Sequence, residues 1–173
     1  NESAQQGQRA ALNLAGIDHD GVARGDWIVA AGLLRPSLRL DVTLRVLASE
    51  DRPLKHWTPV HVHLGAGHVP GRVAVLEHGV LAPGTHGRVQ LVLDRPLVAA
   101  YGDRIVLRDQ SARRTIAGGH VVDPESPARG RAKAERLARL DAMDHGDPEN
   151  ALTALLERAD DGVDPAWFVR ARN

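Results

Sequence analysis

The stretch Arg39–Ala48 (RLDVTLRVLA) alternates apolar Leu40, Val42, Leu44 and Val46 with Arg39, Asp41, Thr43 and Arg45. A period of two puts the two sets on opposite faces of an extended strand, one toward a core and one outward. Thr58–Leu64, Gly71–Glu77, Gly87–Leu93, Asp103–Arg108 and Thr115–Val122 are further strand-like runs. Gly- and Pro-bearing turns separate them at Gly65-Ala66-Gly67, Pro70-Gly71, Pro83-Gly84 and Gly102-Asp103. Six short runs at this spacing predict a mainly β domain, a small antiparallel barrel or sandwich. A closed six-stranded barrel is favoured because closure leaves no unpaired edge strand. Aromatic residues are only 3% of the chain, so its core is to be built from Val, Leu, Ile and Ala.

The flanks differ in character. Gln8–Ala15 and Asp26–Ala30 (DWIVA) are short strand candidates around a polar turn, Gly16–Gly25, and a break follows at Leu34-Arg35-Pro36. Two strands alone make a marginal hairpin in water, so this segment calls for a partner sheet. Beyond Pro124, Pro127 and Gly130 the periodicity becomes helical. Lys133–Met143 sets Leu137, Leu140 and Met143 on one stripe. Asp147-Pro148 opens a second helix with an N-cap followed by Pro at the first position, and its stripe is Leu152, Leu155, Leu156 and Ala159. Asp164-Pro165 repeats the signal for a third. The expected division is 1–34, 35–124 and 125–173. A polar start at Asn1 without Met reads as part of a longer chain.

Several chemistries are poorly served. There is no cysteine, so disulfides, thiolate metal sites and a thiol nucleophile are excluded, in keeping with a reducing, cytoplasmic setting. No apolar run approaches the roughly 18–20 residues that span a bilayer. The only lysines, Lys55 and Lys133, lie outside any phosphate-cradling Gly-x4-Gly-Lys loop, and Gly65–Arg72 is Gly-rich but joins two strands. Ser3, Ser37, Ser49, Ser111 and Ser126 sit in no nucleophile elbow. Glu50-Asp51 and Asp160-Asp161 read as solvated charge at loop or helix-end positions. The chain reads as a non-enzyme.

Charge and histidine placement are more informative. Between Arg35 and Pro124 basic residues outnumber acidic ones by four, whereas each flank is acidic by two. A basic centre suits a polyanionic partner. Arg108, Gln110, Ser111, Arg113 and Arg114 crowd one connection between strands, and guanidinium groups bond phosphate oxygens bidentately. The alternative is an ordinary charged hairpin. Lys55-His56-Trp57 sets a cation, an imidazole and a stacking surface side by side; the alternative is a Trp capping the barrel end. His61 and His63 share one strand face, as in a His-x-His metal pair, but no carboxylate follows at the matching distance. A metal-dependent small-molecule barrel using His61 and His63 is therefore a competing reading, and a purely structural spacer is another.

Leu54–Val62 (LKHWTPVHV), Gly65–Leu76 (GAGHVPGRVAVL), Val89–Leu97 (VQLVLDRPL) and Gly102–Gly118 (GDRIVLRDQSARRTIAG) resemble the third domain of bacterial selenocysteine-specific elongation factors. Gly7–Gly25 and Asp26-Trp27 resemble the last strands of the preceding barrel, a pattern shared with elongation factor Tu. Arg129-Gly130-Arg131 and the Leu-rich helices resemble the opening of a winged-helix domain. The resemblance implies a barrel similar to elongation factor Tu domain III, preceded by strands of a second barrel and followed by a short α-helical segment. It implies selenocysteinyl-tRNA, the ribosome and the factor's own GTPase domain as partners. GTP and Mg would belong to that N-terminal domain, leaving this chain without a cofactor. By similarity with elongation factor Tu, the turn after Arg108 overlies a T-stem contact, and Gly67-His68-Val69 lies near another; the residues at both differ from that relative.

Overall fold

Leu40, Val42, Leu44 and Val46 each keep 2% or less of their surface exposed, the burial that their alternation demands. They belong to a computed structural model that describes residues 3–5, 7–159 and 161–172. Asn1, Asp160 and Asn173, which entered the sequence reading, lie outside the described residues. The strands are β1 (Pro36–Val46), β2 (Leu54–Lys55), β3 (Thr58–Leu64), β4 (Gly67–Val75), β5 (Val80–Leu81), β6 (His86–Val98), β7 (Arg104–Arg108) and β8 (Thr115–Asp123). Six of them close into a barrel in the order β1-β6-β4-β3-β7-β8, with β8 returning to β1 and every ladder antiparallel. β2 and β5 form a separate two-stranded sheet.

Inward-facing Val60, Val62 and Leu64 of β3, Val73 and Val75 of β4, Val89, Leu91 and Leu93 of β6 and Ile105 and Leu107 of β7 complete the interior. The aliphatic cylinder is therefore solid, as small barrels are. Closure brings β1 and β8 so close that a Cβ at Gly119 would collide with the Thr43 carbonyl oxygen, so glycine alone fits there.

Several expectations need correction. β4 starts at Gly67 rather than Gly71, so the Gly-rich stretch to Arg72 is mostly strand, and the turn is only Gly65-Ala66 between paired Leu64 and Gly67. β6 runs on to Val98, where Val98 and Leu97 pair with Pro36 and Ser37 across a bulge. Gln8–Ala15 and Asp26–Ala30 form no strands; among the described residues before β1 the regular element is a 3-10 turn at His19–Gly21. The reason is the one that makes lone hairpins marginal: no third strand is there to pair with them. Leu12, Ile17, Trp27 and Ile28 accordingly stay exposed.

The helices are α1 (Ala134–Met143), α2 (Pro148–Leu156) and α3 (Pro165–Arg172). The Asp147 carboxylate caps α2 by accepting the Glu149 N–H at 2.8 Å, and Asp164 accepts the Ala166 N–H at 2.9 Å. Leu140, Met143 and Leu155 pack with Leu76 and Val122 from the outer surface of the barrel. The buried side of α2 is Ala151 and Leu155; Leu156, expected on that stripe, faces out.

A polar junction, unannounced by periodicity, completes the docking. Asp41 and Gln90 point out of the barrel yet are fully buried, with Asp123 beside them. The Arg136 guanidinium of α1 donates to both carboxylates, at 2.6 Å to Asp123. Gln90 donates to Asp41 at 2.9 Å and to the Pro127 carbonyl at 3.1 Å, pinning the linker. Burial works against the Arg136 charge, but the Asp123 and Asp41 carboxylates outweigh it and raise its pKa above the usual value. Asp144 adds a second tie, accepting from Thr43 at 2.9 Å and pairing with His120 at 2.7 Å.

Candidate nucleic-acid interface

The connection from β7 to β8 is built around one carboxylate. Asp109 Oδ1 accepts the backbone N–H groups of Arg113 (2.8 Å) and Arg114 (3.1 Å), and Oδ2 accepts the Ser111 hydroxyl at 2.9 Å. Those bonds, led by the Arg114 N–H, hold the Asp109 carboxyl below its ordinary pKa, so the cap stays ionised. The turn needs this clamp because Ala112 sits at φ +53°, a left-handed conformation costly for a residue with a Cβ. The Arg108 guanidinium reinforces it, donating to the Arg113 carbonyl at 3.1 Å. The result is a rigid rim that presents Gln110, Arg113 and Arg114 to solvent.

Lys55 reaches the same rim from the other side. β2 and β5 exist as a sheet through the Leu54–Leu81 and Lys55–Val80 pairs, and this holds Lys55 beside an open cleft of about 380 Å³. Arg52, Lys55, Gln110 and Arg114 line that cleft together with Glu50 and Asp109. Glu50 bonds Arg114 at 3.1 Å, so this arginine is engaged within the protein, whereas Arg113 is exposed and has no ion-pair partner among the described residues. Arg52 was not singled out from sequence; the charged run before Pro53 was the available signal.

Trp57 does not cap the barrel. It sits at φ +68° with its backbone N–H bonded to the Val73 carbonyl at 2.6 Å, and the residue remains 43% exposed. His56 stacks against it at 5.9 Å, and the Arg131 guanidinium of the linker lies 5.7 Å from the ring centroid. His56 itself is tied inward, its Nδ1 lying 3.3 Å from the Val75 carbonyl. Both candidate segments thus carry a non-glycine residue in a left-handed conformation, the kind of strain that collects at binding sites.

A second surface adjoins the rim. His61 and His63 face outward from β3, opposite the inward Val60, Val62 and Leu64. His63 pairs with His68 across β3–β4, the rings stacked 5.3 Å apart, and His61 lies 6.2 Å from the same ring. His61 pairs with Arg108 across β3–β7, and its Nε2 lies 3.2 Å from the Gln110 carbonyl. His61 Nδ1, His63 Nε2 and Arg108 Nε are buried without a hydrogen-bond partner. Burial, followed by the neighbouring His68, Arg108 and His61, holds the His63 pKa below the ordinary imidazole value. Among the described residues no group of three His, Asp or Glu side chains is disposed to hold a metal ion, and the barrel interior is filled with aliphatic side chains.

Structure therefore gathers Lys55, Gln110 and Arg114 at one cleft and joins His68 and Arg108 on the adjacent face. It sets Ser111 to shaping the turn and His56 to anchoring Trp57. Among the described residues no helix is long and apolar enough to cross a membrane.

Comparison with known proteins bears on this surface. Residues 41–128 match the family model described as "Selenocysteine-specific elongation factor, beta-barrel domain". The chain is 41% identical over 173 residues to the selenocysteine-specific elongation factor of Escherichia coli (strain K12), covering 99% of this chain and 26% of that protein. It is 37% identical over 123 residues to the factor of the same name from Desulfomicrobium baculatum, covering 71% of this chain and 19% of that one. Elongation factor Tu 2 of Streptomyces avermitilis is 28% identical over 128 residues, or 72% of this chain and 32% of that protein. The chain spans about a quarter of the length of the first of these relatives.

Proposed function

The chain belongs to the selenocysteine-specific elongation factors, and from that premise we propose that its barrel is a tRNA-binding surface of a GTP-dependent factor that delivers selenocysteinyl-tRNA to the ribosome at recoded UGA codons. The observation that carries this reading is the clamped rim, where Asp109 fixes a strained turn so that Arg113 stands at solvent and Arg114 lines the cleft with Lys55 and Arg52. Fixed guanidinium and ammonium groups on a rigid connection suit the phosphates of an RNA duplex, whose shape and backbone are read more than its base edges. Arg108, Gln110 and His68 extend the contact, and His56 supports Trp57 as a flat surface next to it. Ser111 acts through the turn.

In this reading residues 1–34 complete an upstream barrel, 35–124 form the tRNA-contacting barrel and 125–173 open a winged-helix domain. GTP and Mg are the business of a GTPase domain elsewhere in the factor, and the whole works in the cytoplasm. A spacer role accompanies the binding role, favoured by the buried Arg136 junction that fixes the helices to the barrel.

The test is an Arg113→Ala/Arg114→Ala variant of the full-length factor, titrated with selenocysteinyl-tRNA at several salt concentrations. Two lost phosphate contacts reduce the slope of log affinity against log salt by roughly one to two. An unchanged affinity and slope would leave the barrel as a spacer alone.

A further inference from the structure

Resting on that reading, we propose that the face formed by His61, His63, His68 and Arg108 receives a backbone phosphate of the bound RNA and takes up a proton as it does so. The geometry is specific. The His63 and His61 rings lie 5.3 and 6.2 Å from the His68 ring across adjacent strands, and a guanidinium completes the group from the third strand. Three of their nitrogens are buried with no partner, so the cluster as it stands is short of hydrogen-bonding groups. The charged and titratable groups acting on His63 are His61 from its own strand, His68 from β4 and Arg108 from β7, with no carboxylate among them. Two other neighbours are backbone: the Gln110 carbonyl against His61, and Gly25 of the N-terminal segment against Gly67 at the hairpin end.

Four potential cations packed together without an anion repel one another once protonated. In the free protein burial and these neighbours disfavour the charged form of His63. A phosphodiester reverses the balance, because it carries a fixed negative charge and accepts hydrogen bonds only. It favours the imidazolium form of whichever ring it touches, so binding and protonation assist each other. Position favours the same ligand. Arg108 donates to the Arg113 carbonyl, and His61 meets the Gln110 carbonyl, so this face is continuous with the rim that presents Arg113 and Arg114. An RNA strand lying along the rim passes directly over it.

The experiment uses this chain and a selenocysteine tRNA transcript as probe, with calorimetry in two buffers of different ionisation enthalpy at constant ionic strength. Association strengthens on the order of 3- to 10-fold from pH 7.5 to pH 6.0, with net uptake of part of a proton. His63→Gln/His68→Gln abolishes the uptake and flattens the pH dependence, weakening association more at pH 6.0 than at pH 8; His68→Gln alone, at an exposed position, serves if the double variant does not fold. Ring resonances of His63 and His68 move downfield when the transcript is added at pH 7. Binding without proton uptake, or uptake that survives the substitutions, overturns the proposal and leaves the tRNA reading standing. Inorganic phosphate that moves the same resonances as strongly as the transcript reassigns the face to free anions and overturns it as well. Absence of binding at every pH sinks the tRNA reading and this proposal together.

Discussion

Arg136 of α1 donates to Asp123 at the end of β8 over 2.6 Å, and with the same guanidinium it reaches Asp41 in β1. One side chain thus ties the helical segment to two barrel strands through carboxylates that are 0% and 1% exposed. Removing one partner of a buried ion pair strands the others, and two carboxylates are at stake here. Arg136→Met is expected to destabilise the chain by about 3–5 kcal/mol. Urea unfolding followed by tryptophan fluorescence in a Trp27→Phe/Trp57→Phe background measures it, since the remaining Trp167 lies in the helical packing. The exposed Arg158→Ala serves as the control, with a change within about 0.5 kcal/mol. Equal effects for the two variants would mean that the junction adds nothing.

The turn after β7 makes the opposite kind of prediction. Ala112 at φ +53° pays for a conformation that glycine adopts freely. Ala112→Gly is therefore expected to raise stability by about 0.5–1 kcal/mol, the left-handed penalty less the extra chain entropy of glycine. Thermal unfolding decides it. A loss of stability would mean that the Asp109 clamp does not hold this residue left-handed in solution.

Period-two alternation made the barrel readable, because residues such as Leu40, Val42, Leu44 and Val46 are sorted by a single rule: in or out. The helix starts at Asp147 and Asp164 were equally legible, since a cap followed by Pro is a local signal. The remainder was not local. Leu54–Lys55 and Val80–Leu81 are too short to show a period and exist only by pairing with each other. Asp41 sits on the outward register of β1 and so reads as solvent-facing; only a helix about a hundred residues later buries it. At the rim, the arginines were visible in the sequence, but their division of labour was not. That division depends on Glu50, which lies far upstream and engages Arg114.

The Glu50 contact is itself testable. On the proposed tRNA-binding reading, its carboxylate, which bonds Arg114 in the cleft, is a competitor for RNA phosphate. An exposed pair of this kind is worth about 0.2–1 kcal/mol, so Glu50→Gln is expected to tighten tRNA binding by roughly two- to five-fold at low salt. The gain should shrink as salt rises, because screening weakens both competitors. Binding titrations at two salt concentrations measure it. Weaker binding in the variant would mean that Glu50 positions Arg114 for RNA instead of withholding it.

His63 gives the last prediction, and its sign follows from the direction of the shift. Burial and the neighbouring His68, Arg108 and His61 lower its pKa in the folded chain, so the unfolded chain binds its proton more readily. Stability then falls as pH drops through the ordinary imidazole value of about 6.5 toward the lower folded value. Above both values the residue contributes no pH dependence. The chain carries nine histidines in all, so the quantity to measure is the difference in Tm between the native chain and His63→Gln at each pH. At pH 8 that difference reflects packing alone. Toward pH 5.5 it is expected to shift in favour of the variant, which carries no proton to accommodate. Added tRNA should restore the native chain at low pH more than the variant, because an anion on this face turns an unwelcome proton into a partnered one. A difference that stays flat with pH would mean that His63 is not held neutral by its neighbours, and the crowding of imidazoles on β3 and β4 would then have no electrostatic consequence.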